Sequence, residues 1–335
     1  MSELLRCEDL TVHYPIRAGL GRRGRSVVRA VDGVSLRLDA GRTTALVGES
    51  GCGKSSLARA LLQLERHTRG TVLLDGRPVG TGVGIAEFRR SVQVVFQDPY
   101  ASLDPRMSVG RSIEEPLRAF RLGDATARGR RVGEVLERVG LRASDARRYP
   151  HEFSGGQRQR IAIARALAPN PRLVVCDEAV SALDVSVQAQ IVALLREVQA
   201  ESGLAYLFVS HDLGIVRQVA DTVAVMYLGR LVEHNGVEEL YTSPRHPYTE
   251  ALLSAVPVAD PDVERSRERI ILAGQIPSPA RPPAGCRFHT RCPRVQPRCE
   301  TEPPDLLPLP PSGTTACHFP LEPVTHKHTE EPHDG

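Results

Sequence analysis

The sequence lacks the features that would send a chain into a membrane, out of a cell or onto nucleic acid. Its longest apolar runs, such as LAYLFVS and IVALL, are far short of the roughly 20 residues a bilayer-spanning helix needs, so no span is expected. The N-terminal MSELLRCEDL has acids where a secretory leader is apolar, so no leader is expected. Net charge is only +3 over 335 residues, too weak a field to argue for nucleic acid or anionic lipid. Aromatics make up 4%, and of 43 Lys plus Arg only Lys54 and Lys327 are lysines. Cysteines number seven, but without a leader a reducing compartment is expected and disulfides explain them poorly. What remains is a chain 41% hydrophobic and 25% charged, enough for one large or two modest domains with a real core.

In a chain that otherwise writes arginine, Lys54 stands out. It lies in LVGESGCGKSS, which satisfies G-x-x-x-x-G-K-[ST] from Gly48 to Ser55. The preceding TTALVG has strand character and the following KSSLARALLQL has apolar residues at helical spacing. That context makes this a phosphate-binding loop in an α/β fold with a P-loop NTPase core. Backbone amides of Gly48, Glu49, Ser50, Gly51, Cys52 and Gly53 would turn toward the phosphates at a helix N-terminus. Lys54 would reach the β- and γ-phosphates as a compact charge, a task arginine's planar fork does not duplicate. Ser55 would offer its hydroxyl to Mg²⁺, with Ser56 beside it. Cys52, at a helix start, is expected to be a stabilised, exposed thiolate that ATP shields from alkylation.

A P-loop alone fits kinases, GTPases and motor ATPases. RLVVCDEAVSALD supplies a buried-strand pattern that ends in two acids: Asp177 for the Mg²⁺ shell and Glu178 to polarise the attacking water. Between the two motifs lies HEFSGGQRQRIAIARALAPNP. Ser154 is a natural cap for the helix that follows, and Gly155, Gly156 and Gln157 leave amides at its positive end. This is a second phosphate site in a chain that already has one, which suggests a grip on ATP held by another subunit.

SGGQ between a P-loop and DEAVSALD resembles the nucleotide-binding subunit of an ABC transporter, over roughly residues 4 to 255. The resemblance implies that Tyr14 stacks on adenine, the other reading being a core tyrosine on an edge strand. It implies that Gln97 touches Mg²⁺ and the water, that Ser181 to Asp184 cross a dimer interface, and that His211 senses the γ-phosphate. The expected catalytic set is Glu178, His211 and Gln97, with Ser55, Gln97 and Asp177 toward Mg²⁺. Two positions depart from the family pattern: Ala179 where proline is usual, and Phe153 where leucine is. Neither removes a functional group.

Residues 1 to about 40 alternate as short antiparallel strands do, interrupted by the turn AGLGRRGRS, while about 100 to 168 read as a helical subdomain. The parallel sheet resumes at RLVVCDE, a helix over 185 to 201, and LAYLFVS. An ABC-type domain over 1–255 is therefore expected, then an extension over 256–320 and a disordered tail over 321–335. SPRHPYTEALLSAVP followed by GCRFHTRCP resembles ATPase subunits of oligopeptide and dipeptide importers. That resemblance implies a second ATPase subunit, two integral membrane permease subunits, an external solute-binding protein and a place at the cytoplasmic face of a bacterial cell membrane, with no nucleic acid. ABC ATPases of DNA repair or translation are the alternative; they usually carry two ATPase units per chain, and this one has a single P-loop and a single SGGQ.

The extension holds Cys286, Cys292, Cys299 and Cys317 among glycines and prolines, in loops that cannot form a core alone. No C-x₂₋₄-C pair opens the group, and four thiolates at irregular spacing leave zinc, a [4Fe-4S] cluster or no metal open. The resemblance to peptide-importer ATPases, some of which carry such a cluster, implies [4Fe-4S] with zinc as the alternative, His289 and His318 being neighbours rather than ligands.

Overall fold

The computed structural model describes residues 2–16, 26–257, 262, 265, 269–310 and 312–323. The Gly/Arg-rich turn expected at AGLGRRGRS falls almost wholly outside them, as does the tail from 324 onward.

Two sheets organise the chain. Strands β1 (Glu3–Ile16) and β2 (Ser26–Asp39) pair antiparallel, and β1 also pairs with β4 (Arg69–Leu74), which pairs with β5 (Arg77–Pro78), giving the order β2-β1-β4-β5. The expected short strands are instead two of 14 residues each, because bulges in β1 carry the pairing past places where the alternation slips. The larger sheet has the order β11-β12-β10-β9-β3-β8-β7-β6. Its parallel centre consists of β3 (Thr43–Val47), β6 (Val92–Val95), β7 (Leu173–Asp177), β8 (Ala205–Val209) and β9 (Thr222–Tyr227). Every residue of β3, β7 and β8 is buried, as their largely apolar sequences suit in strands covered on both faces.

Helix α1 (Lys54–Leu61) follows β3, and α2 (Ile85–Ser91) precedes β6. A helical block then runs through α3 (Pro99–Ser102), α4 (Val109–Ala119), α5 (Ala125–Arg138) and α6 (Gly155–Leu167). Side chains of Asp98, Ser108 and Asp124 accept backbone hydrogen bonds at the starts of α3, α4 and α5, so polar residues in the sequence fix where each begins. Helix α7 (Val185–Ser202) follows β7 and α8 (Leu213–Val219) follows β8. Strand β10 (Arg230–Gly236), α9 (Val237–Thr242) and α10 (Pro247–Ser254) complete the core.

Alternation along β8 divides the interior. Tyr206 and Phe208 join a cluster with Ile113, Leu136 and Ile161 of the helical block, while Leu207 and Val209 join Leu5, Leu36 and Leu57 of the antiparallel sheet and α1. The nucleotide-loop motif leaves the end of β3, where Leu46 belongs to the second cluster and Val47 to the first, and its Cys52 packs in the second.

Residues beyond 255 build onto this frame rather than beside it. Phe288 is 1% exposed within the first cluster, and Leu272, Cys286 and Cys292 pack against that cluster. Strand β12 (Thr314–Thr315) pairs with β10 and with β11 (Leu307–Pro308), so the main sheet gains two short strands from the end of the chain.

Candidate functional site

Two glycines let the loop after β3 close. Gly48 and Gly53 have φ of 148° and 111°; a Cβ at Gly48 would strike the Met226 carbonyl oxygen and one at Gly53 the Ala30 carbonyl oxygen. Lys54 begins α1 and is 5% exposed, its Nζ donating to the carbonyls of Gly48 at 2.8 Å and Glu49 at 3.1 Å. The ammonium is thus parked on its own loop. The next residue, Ser55, donates its hydroxyl to Asp177 Oδ1 at 3.1 Å across 122 positions of sequence. Burial pushes the Asp177 carboxyl above the usual carboxylate range, opposed by Ser55, Arg59 and Lys54.

Glu178 takes up a backbone conformation that side chains rarely adopt, with φ of 52°, while its N–H donates to the Val209 carbonyl at 3.0 Å. This places its Oε1 3.3 Å from His211 Nδ1, just past the end of β8. Ser181 donates its hydroxyl to the Glu178 carbonyl at 3.0 Å, and Gln97 Nε2 donates to Ser181 Oγ at 3.4 Å. Residues chosen from four separate motifs therefore meet in two linked pairs: Ser55 with Asp177, and Glu178 with His211, with Gln97 attached through Ser181. Hydroxyl and carboxylate oxygens side by side suit Mg²⁺, which takes one or two protein ligands and fills the rest from phosphates and water.

Tyr14 is half-buried against the second core and donates its hydroxyl to Ser56 Oγ at 3.4 Å, which places it at the first turn of α1. Ser154 and Gln157 form a reciprocal capping box at the start of α6 and are exposed. Among the described residues no hydrogen bond or ion pair links that box to the P-loop. Phe153 is 3% exposed with the Arg148 guanidinium 4.2 Å from its ring centroid, and Ala179 is 2% exposed, so both departures from the family pattern are accommodated by packing.

Two expectations change. Cys52 is not an exposed thiolate: it is 5% exposed in the second core, and burial pushes its thiol up despite Lys54 Nζ 3.9 Å away. Alkylation of Cys52 in the folded chain is accordingly expected to be slow with or without ATP and fast only in denaturant, as mass spectrometry of iodoacetamide-treated protein would read; fast labelling that ATP blocks would restore the exposed loop.

The second change concerns the four cysteines. Cys286, Cys292, Cys299 and Cys317 do line one cavity, with His289 and His318 at its rim, but its volume is ≈ 10 Å³, room for about one water. Burial raises the thiols of Cys286 and Cys292 and takes Cys317 to about 11. Among the described residues no group of three or more His, Cys, Asp or Glu side chains is arranged to hold a metal ion. Neither the [4Fe-4S] cluster nor zinc finds support in this arrangement. Phe288, the pairing of β12 and two buried arginines fasten this loop to the rest of the chain.

Sequence reasoning missed these fastenings. Arg291 makes a bidentate ion pair with Glu49 of the P-loop, at 2.7 and 3.0 Å, from 242 positions away, and the Tyr248 hydroxyl accepts from the Glu49 N–H at 2.9 Å. No spacing rule connects such distant residues.

Residues 31–181 match the ABC transporter family and residues 232–299 the family described as Oligopeptide/dipeptide transporter, C-terminal region. The oligopeptide transport ATP-binding protein AppF of Bacillus subtilis is 50% identical over 320 residues, covering 94% of this chain and 97% of that protein. The oligopeptide transport ATP-binding protein OppF of Salmonella typhimurium is 49% identical over 310 residues, covering 90% and 92%. Among solved structures, CbiO1 of Clostridium perfringens, part of an ABC transporter complex, superposes with a TM-score of 0.61 at 28% identity over 72% of this chain and 91% of its own. A dimeric ATP-binding cassette in a post-hydrolysis state with ADP and Pi superposes with a TM-score of 0.60 at 27% identity, over 70% and 99%. Among the described residues no helix is long and apolar enough to cross a membrane.

Proposed function

We infer the working parts of the site from the family to which the chain belongs, the ATP-binding, ATP-hydrolysing subunits of oligopeptide and dipeptide ABC importers. The observation that carries this reading is the meeting of Ser55 with Asp177 and of Glu178 with His211 at the mouth of the loop. Gly48 to Ser56 cradle the phosphates through backbone amides, and Lys54 leaves the Gly48 and Glu49 carbonyls for the β- and γ-oxygens. Ser55, Asp177 and Gln97 would hold Mg²⁺, which when bound would supply positive charge against the phosphates as the transition state forms. Glu178 orients the attacking water and takes its proton as the bond from water oxygen to γ-phosphorus forms and the bond to the β-bridging oxygen breaks. His211 fixes the Glu178 carboxylate and donates to the γ-phosphate. Tyr14, beside Ser56, packs on the adenine. Residues 1–255 act as the ATPase unit, and 256–320 as the importer-type extension.

Ser154, Gly155, Gly156 and Gln157 face outward at a helix start, which suits the γ-phosphate of ATP in a second ATPase subunit. Two subunits then sandwich two ATP molecules, and because ATP binds the closed pair more tightly than the open one, closure does work on two membrane permease subunits fed by an external solute-binding protein. The chain sits at the cytoplasmic face of the cell membrane. The test is isolation from membranes under anaerobic conditions. Two integral membrane proteins should copurify and loaded solute-binding protein should stimulate hydrolysis, whereas DNA or ribosomes in their place would defeat the importer reading. The convergence of the four cysteines is all that supports a cluster there; the same preparation should hold no stoichiometric iron or zinc, and a brown chromophore lost in Cys292→Ser would reinstate it.

A further inference from the structure

We propose that Arg291 is a positioning residue for nucleotide binding, one that neutralises an acid built into the phosphate loop and holds that loop in register from the far end of the chain. The proposal rests on Gly48 to Ser55 being the ATP cradle. Glu49 is the second residue of that cradle, and an unpaired carboxylate there would repel the polyphosphate it must admit. Arg291 answers it with both terminal nitrogens, at 2.7 and 3.0 Å, and its side chain is 7% exposed against 25% for Glu49. A fork of this kind fixes the carboxylate's plane as well as its charge.

Two further contacts, one of them to a locked tyrosine, make Glu49 the anchor of the loop. Its N–H donates to the Tyr248 hydroxyl, its carbonyl accepts from Lys54 Nζ, and Tyr248 itself is locked in a ring cluster with Tyr227 and Phe288 at centroid distances of 4.7 and 5.3 Å. The Arg291 guanidinium lies 6.0 Å from the Tyr227 ring centroid, so the same aromatic cluster backs both partners of Glu49. A second arginine of the same Cys-flanked segment grips the loop's other side. Arg287, 9% exposed, donates to the Leu228 carbonyl and to Asp32, and the adjacent Gly229 N–H donates to the Cys52 carbonyl at 2.7 Å. The segment from Cys286 to Cys292 thus pins the P-loop from two directions, and its attachment is part of the binding site's preorganisation.

The test is a double-mutant cycle on the full chain, read by titration with a fluorescent ATP analogue and by steady-state hydrolysis. Arg291→Ala leaves the Glu49 charge facing the phosphates and should weaken ATP binding about tenfold, raising KM while kcat at saturating ATP holds. Glu49→Gln alone removes the charge and the fork together, and should weaken ATP binding by less than R291A does. The double variant E49Q/R291A should recover most of the loss, because no bare carboxylate remains. Arg291→Lys, with charge but no fork, should fall between. If R291A does not fold, R291K and the double variant still decide the matter. Equal losses in R291A and in the double variant would overturn the proposal by making Arg291 merely structural, and so would wild-type affinity in R291A. Lys54→Ala is the separate control: wild-type binding in that variant would instead remove the P-loop reading on which the proposal stands.

Discussion

Glu178→Gln is expected to lower steady-state ATP hydrolysis by roughly 10²- to 10⁴-fold, the usual worth of a positioned general base, while ATP binding is retained. The expectation follows from how little else the substitution touches. Gln has the volume of Glu and can still meet His211 Nδ1, 3.3 Å from the present Oε1. The backbone hydrogen bond from residue 178 to the Val209 carbonyl does not involve the side chain, and neither does the acceptance of Ser181's hydroxyl by the 178 carbonyl. What disappears is the negative charge that polarises water and accepts its proton. With product formation blocked and binding intact, the variant should accumulate as an ATP-bound closed pair, larger by gel filtration in MgATP than in ADP. Phosphate release near the wild-type rate would strip Glu178 of its role.

Glu178 also shows where sequence reading stops. That an acid closes β7 is legible from RLVVCDE, because an apolar run that stops at two carboxylates is a local pattern and its place downstream of a P-loop gives the pair its meaning. That the second acid sits at φ of 52° is not, because the conformation is imposed by the hydrogen bond to β8 rather than by any residue preference. The capping box at Ser154 and Gln157 was readable for the opposite reason: the cap is made by residues three positions apart. Cys52 marks the intermediate case. Its place at the helix start could be read, but the direction of its side chain, into the core behind the loop, depends on packing against both sheets. The extension was least legible of all. Four cysteines in Gly/Pro-rich loops suggested a site that must be closed by metal, and they do gather at one cavity. The partners that fasten the extension, Glu49, Asp32, Tyr227 and β10, are all more than 60 positions away and carry no local signature.

Ser154→Arg is expected to abolish hydrolysis while the same chain still binds ATP, and the lost turnover belongs to the nucleotide held by the opposite subunit. Ser154 is exposed at the N-terminus of α6, its hydroxyl occupied by the Gln157 N–H at 3.3 Å, and the amides of the two glycines behind it are directed outward with the positive end of the helix. Among the described residues no hydrogen bond or ion pair joins the chain's own P-loop to this cap, so a change there should leave the chain's own nucleotide contacts unaltered. An arginine costs the helix about 1 kcal/mol of capping, which a core of this size absorbs, and it fills the space into which a γ-phosphate would dock. Ser154→Ala separates the two effects: it loses the cap but adds no bulk, and should retain a substantial share of turnover. In a pair of two different ATPase chains the arrangement makes a sharper demand. Lys54→Ala in this chain should disable the site built on its own P-loop, whereas Ser154→Arg should disable the site built on the other chain's P-loop, so the two variants silence different sites. Trapping labelled nucleotide with vanadate and identifying the photolabelled chain distinguishes them. Label lost from the same chain in both variants would mean that SGGQ serves its own nucleotide, and the shared site would have to be abandoned.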